Sequence, residues 1–166
     1  MKTCSLHESE TIEATQRTAM LEFLSVFGAT GFCPGGAIPQ DEDGFPEEDF
    51  VKLVSRFMDA CYKNGFIVKF NWEAWEAEAR GYLQDPERVK AADLPLLRRL
   101  VTWHVRQNRF AKDHLATMIA QGHMAAILRR LKEVQGVFTP TSNFLVSRKL
   151  RYFTGQTIAT ILYSGS

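Results

Sequence analysis

A chain of 166 residues, 45% hydrophobic and 23% charged, is long enough to bury one real core and too apolar to remain disordered. No apolar run approaches the roughly 18 residues that cross a bilayer, so no membrane partner is expected. The net charge of +1 conceals an asymmetry: residues 1–93 carry 9 Lys and Arg against 17 Asp and Glu, whereas residues 94–166 carry 11 against 2.

A dipolar chain of this kind admits two readings. In one, the acidic and basic halves neutralise each other inside one fold, with Arg98, Arg106 and Arg109 pairing with first-half acids such as Glu76 or Glu78. In the other, the basic half faces an anionic partner. The opening "MKTCSLHESE" lacks an apolar stretch after its lysine, which argues against a secretory signal. Cys4, Cys33 and Cys61 are odd in number and include no CxxC pair, the pattern of reduced thiols in a cytoplasmic protein.

In chain order, Ile12, Met20, Leu24 and Phe27 predict an amphipathic helix over 11–27, closed by Gly28. "GATGFCPGGAIPQDEDG" is a long Gly-, Pro- and acid-rich loop. The acids of "DEDGFPEED" then suit the start of a second helix, with Phe50, Val54, Phe57, Met58 and Cys61 inward and Asn64-Gly65 as its stop. "FIVKF" is β-prone and reads as a strand or an extended linker.

Asn71 is placed to cap "WEAWEAEARGYL", whose Trp72, Trp75, Ala79 and Tyr82 share a face. Asp85-Pro86 reads as a cap and N1 proline for a short turn. Asp93 caps a helix over 94–108 with Leu97, Leu100, Val101, His104 and Val105 apolar, and with Arg98, Thr102, Arg106 and Arg109 on another face. A helix over 111–121 ends at Gly122, and a strong one over 123–135 buries Met124, Ile127, Leu128 and Leu131. The acid-free tail carries a β-prone run, "TIATILY".

The blocks "NGFIVKFNWEAW" and "LRRLVTWHVRQNRFAKDHLATMIAQGHMAAILRRLKEV" resemble a bacterial and phage helical domain family of unknown function. The resemblance spans 64–134, rather under half of the chain, and implies a small helical domain but no reaction. Arg106, Arg109, Phe110, His114, Gly122 and His123 fit its pattern. Asn108 departs from a frequent aspartate, and Lys112-Asp113 from a Glu-Gly pair, which would weaken any acid-dependent site.

Three constellations bear on chemistry. Arg106 and Arg109, three apart, could grip a phosphate or carboxylate with His114 close by, Trp103 and Phe110 offering planes for stacking. His104, His114 and His123 are the number of imidazoles that some zinc sites use, but their spacing matches no ligand pattern; His104 reads as a core histidine and His123 as a cap-region residue. The helix pair around Gly122 is similar to a helix-turn-helix, against the commoner reading as a corner in a bundle. No GxSxG, P-loop or GxGxxG is present, and Cys61 lies on an apolar stripe.

The expectation is a mainly α fold: a single compact domain of about six helices over 1–136, with a basic C-terminal extension over 137–166 and room there for a minor β element. The expected function is a non-catalytic intracellular binding module, phage- or mobile-element-encoded, that meets nucleic acid or an acidic protein surface through Arg129, Arg130, Lys132, Arg148, Lys149 and Arg151. Two alternatives stand beside it. One is a small enzyme or ligand binder that holds an anion with Arg106, Arg109 and His114. The other is a factor that inhibits a larger bacterial complex. No cofactor or metal is implied.

Overall fold

The computed structural model describes residue 12 and residues 14–136. The basic extension, with Arg148, Lys149, Arg151 and the β-prone run, lies outside the described residues. Within them the fold is a single mainly α-helical domain of seven helices with no strand, only one isolated bridge between Gln40 and Pro46.

Helix α1 (Ala14–Phe27) and α2 (Glu48–Lys63) meet through phenylalanines. Phe57 stands edge-on to Phe23 and to Phe27, each at 5.2 Å between centroids, a favoured aromatic geometry. Phe23 was not legible as part of the α1 stripe, yet it is as much core as Met20. The loop between these helices makes a short 3-10 turn over Pro34–Gly36. The Asp41 carboxylate then turns the chain by accepting the N–H groups of Asp43 and Phe45.

The end of α2 explains the linker that follows. Gly65 takes φ +65°, and the Phe66 N–H donates back to the Cys61 carbonyl at 2.9 Å, a Schellman stop that drives Phe66 into the core. "FIVKF" has no neighbouring strand to pair with among the described residues. Its Val68 N–H donates instead to the Thr102 hydroxyl at 3.0 Å, and the Gly65 carbonyl accepts from the Arg98 guanidinium at 2.6 Å. The segment is therefore an extended strap, held by side chains.

Three sequence-predicted caps are present as hydrogen bonds. Asn71 accepts from Ala74 N–H, Asp85 from Glu87 N–H, and Asp93 from Leu96 N–H. They open the turn before α3 (Glu76–Gln84), the single turn of α4 (Glu87–Lys90), and α5 (Leu94–Gln107). Trp72 and Trp75 are half-buried rather than central, because the helix proper starts only at Glu76 and leaves them on its approach.

Helix α5 is the axis of the domain. It contacts α3, α6 (His114–Ala120) and α7 (His123–Gly136), so it is buried on more than one face. The consequence corrects two expectations: Thr102 and Trp103 are both buried, not on a solvent face. Thr102 resolves its own burial by donating to the Arg98 carbonyl at 2.8 Å while accepting from Val68. Helix α7 closes the bundle against α1, with Met124, Ile127, Leu128 and Leu131 buried as predicted.

Candidate functional site

The segment from Trp103 to Leu115 forms the end of α5, a turn, and the start of α6. The predicted helix over 111–121 is shortened to His114–Ala120 because Asp113 turns the chain with φ +60°. That left-handed position suits glycine and is uncommon for a residue with a side chain. Asn108 acts just as locally. Its side-chain oxygen accepts from the Leu115 N–H at 2.9 Å and ties α5 to α6. An aspartate would supply the same acceptor, so the position reads as a structural tie.

The three imidazoles converge although their spacing follows no helical period. His104 is fully buried on α5, and its Nδ1 lies 3.0 Å from Nε2 of His114 at the start of α6. The ring centroids are 5.2 Å apart with the planes at 20°, so the rings meet end to end through nitrogen. His123, at the start of α7, stands edge-on to His104 at 5.0 Å. It is therefore a member of this cluster rather than only a cap-region residue.

Burial holds His104 neutral, lowering its pKa well below the usual value, and His123 and His114 add to the effect. Burial, then the neighbouring His114, lowers His123 to about 4. Burial, then the Arg80 guanidinium, lowers His114. Nε2 of His104 and Nε2 of His123 are buried without hydrogen-bond partners. Among the described residues, no group of three or more His, Cys, Asp and Glu is arranged to hold a metal ion. The nitrogens of His104 and His114 that face each other are already engaged in a hydrogen bond between the two rings.

The arginines sit apart from these rings in their bonding. Arg109 is exposed and donates to the Tyr62 hydroxyl on α2 at 3.2 Å. Arg106 is half-buried, its Nε without a partner. Neither has a carboxylate within 4 Å among the described residues, so the expected pairing with Glu76 or Glu78 is absent; Glu76 instead binds Arg80, one turn along the same helix, at 2.6 Å. Other described ion pairs are equally local, joining Lys52 to Glu48 and Lys90 to Glu87.

Trp103 is inaccessible, so it cannot offer a stacking plane to a ligand. The partner of Phe110 is Trp72, with centroids 5.6 Å apart and planes at 30°. Of the two planes expected to be open for stacking, only Phe110 is exposed, and its pairing with Trp72 was not legible because spacing says nothing about which residue the turn at 108–110 meets.

On α7, Arg129 and Lys132 are exposed, whereas Arg130 is committed to the fold. Its Nε donates to the Ala92 carbonyl at 3.0 Å, and it also pairs with Glu133 at 3.2 Å. Arg130→Ala should therefore lower stability by about 1 kcal/mol, by removing the side-chain bond to the part-buried Ala92 carbonyl. Arg129→Ala and Lys132→Ala should each stay within about 0.5 kcal/mol. Urea melts of the three variants would check the ranking, and equal losses at all three would contradict it.

A shallow groove of about 170 Å³ runs between α2, α6 and the Gly-Pro loop, lined by Phe50, Val54, Met58 and Ala116 with Asn108 and Asp113 among its polar edges. It is smaller than the roughly 300 Å³ at which ligand pockets begin, and Arg106, Arg109 and His114 do not line it. No helix among the described residues is long and apolar enough to cross a membrane.

No curated protein and no solved structure matches the chain significantly. A family model does match, over residues 12–136, well beyond the blocks that carry the resemblance in sequence. The chain belongs to that family, DUF6508, a family of unknown function.

Proposed function

We propose that the protein is a non-catalytic intracellular binding module that contacts an anionic macromolecule, nucleic acid in the first place, through its basic C-terminal half. The observation behind this reading is electrostatic. Arg106, Arg109, Arg129 and Lys132 have no carboxylate within 4 Å among the described residues, so the acids of the first half leave these four cations unpaired. Arg148, Lys149 and Arg151 extend the same excess in a stretch with no acid after Glu133. Unneutralised cations of this kind bind phosphate backbones by releasing counterions.

The rival reading, a small anion held by Arg106, Arg109 and His114, has less support. Nε2 of His114 is engaged with His104, and none of the three residues lines the groove between α2 and α6.

Affinity for duplex DNA should fall with salt at a log–log slope of about −0.9 per phosphate contacted. Replacing Arg148, Lys149 and Arg151 together by alanine should make that slope shallower by about 2 to 3. Anisotropy titrations of labelled duplex across a salt series measure both quantities. No binding at low salt and roughly 100 μM protein, the weak end of non-specific affinity, would reject the nucleic-acid reading and leave an acidic protein surface.

A further inference from the structure

Exposed aromatic rings are ordinary when scattered singly, and Phe45 is one such ring. Phe110 is different. It is 71% exposed, yet it stacks on the half-buried Trp72, with centroids 5.6 Å apart and planes at 30°, so an indole backs it while most of the ring stays in water. The preceding residue, Arg109, is held against the phenol of Tyr62, itself 44% exposed. The turn after α5 thus carries, at adjacent positions, a ring braced against Trp72 and a guanidinium braced against the end of α2.

We infer that Phe110, backed by Trp72 and preceded in the turn by Arg109, is a stacking platform for the unpaired bases of single-stranded nucleic acid. This rests on the anion-binding reading above and adds to it a second surface and a strand preference.

Three features favour a base as the occupant. Every base offers a flat face, and aromatic planes beside cations are how sequence-tolerant single-strand binders hold their ligands. In a duplex those faces are covered by neighbouring base pairs, so the platform adds nothing to duplex binding. The cation is available, because Arg109 donates to a neutral phenol and has no carboxylate within 4 Å among the described residues. Exposed Lys63 and Lys112 lie next to the platform in sequence, opposed by exposed Glu73 and Asp113. An apolar protein partner would desolvate these charges on docking, whereas a single strand can lay a base on the ring and keep its backbone in water, with a phosphate near Arg109.

The test compares a labelled oligothymidine of about 15 nucleotides with a blunt duplex, for the wild type, Phe110→Ala, Phe110→Tyr and a triple alanine variant at Arg148, Lys149 and Arg151. Phe110→Ala should weaken oligothymidine binding by about 5-fold or more and leave duplex binding unchanged, and Phe110→Tyr should retain both. Because the ring is exposed, an unchanged urea midpoint for Phe110→Ala separates loss of stacking from loss of fold. Wild-type-like oligothymidine binding by Phe110→Ala would overturn the platform, as would duplex binding without oligothymidine binding; the basic-half reading would survive either result. Loss in Phe110→Ala with no effect of the triple variant would support the platform and count against the basic tail. Binding of neither nucleic acid would reject both.

Discussion

Acidification from pH 7 to pH 4 should strip several kcal/mol from the stability of the folded protein, and most of that loss should trace to the imidazole cluster. In the unfolded chain each histidine titrates near its ordinary value of about 6.5. In the fold, burial depresses all three, His123 to about 4. Between those values the unfolded state binds protons that the folded state refuses, so stability is fully present above about pH 6.5 and falls as the pH drops toward 4. For His123 alone the interval is worth about 3 kcal/mol, at 1.36 kcal/mol per pH unit.

His104 is shifted in the same direction and is fully buried. Protonating it would place a charge beside His123 and leave a buried Nε2–H with no acceptor, while Nδ1 already faces His114. Against a typical total of about 5–15 kcal/mol, losses of this size bring the domain close to unfolding near pH 4. Urea midpoints from pH 7.5 to pH 4 would show the slope, and His104→Leu should flatten it. A midpoint constant over that range would mean that the cluster opens to water without cost.

How much of this could be read from the chain depends on the range of the interaction. Asn71, Asp85 and Asp93 were legible as caps because a cap is decided by residues two or three positions away. The stripe of α7 was legible because it has one buried face. Thr102 and Trp103 were not, because α5 is packed by several neighbours and its polar-looking side is covered by the strap at 66–68. The imidazole cluster needs α5, α6 and α7 to meet at one end, a tertiary event with no sequence period. The available clues were His104 on an apolar face and a glycine at φ +80° that turns α6 directly into α7. The left-handed turn at Asp113 was not legible, because positive φ at a residue other than glycine leaves no mark on the sequence pattern.

Leu100→Ala should cost roughly 2–5 kcal/mol, the range for deleting a fully packed leucine, and should rank well above any substitution on the candidate surfaces. Leu100 is completely buried at the middle of α5, with buried Leu97, Val101 and Val105 on the same helix and α6 and α7 packed against it. Because α5 is held by side chains from several elements, the gap cannot close by sliding one helix alone, which places the cost toward the upper part of the range. Phe110→Ala removes a larger side chain but one that is mostly in water, so its cost should remain near the surface level of about 0.5 kcal/mol. Urea denaturation of the two variants side by side tests whether the axis of the fold and the platform at its end are energetically separate. A small change for Leu100→Ala, with the slope of the transition preserved, would remove Leu100 from the core. A large one for Phe110→Ala would make the Trp72 stack a structural brace, and its loss of ligand could then no longer be read as loss of a contact.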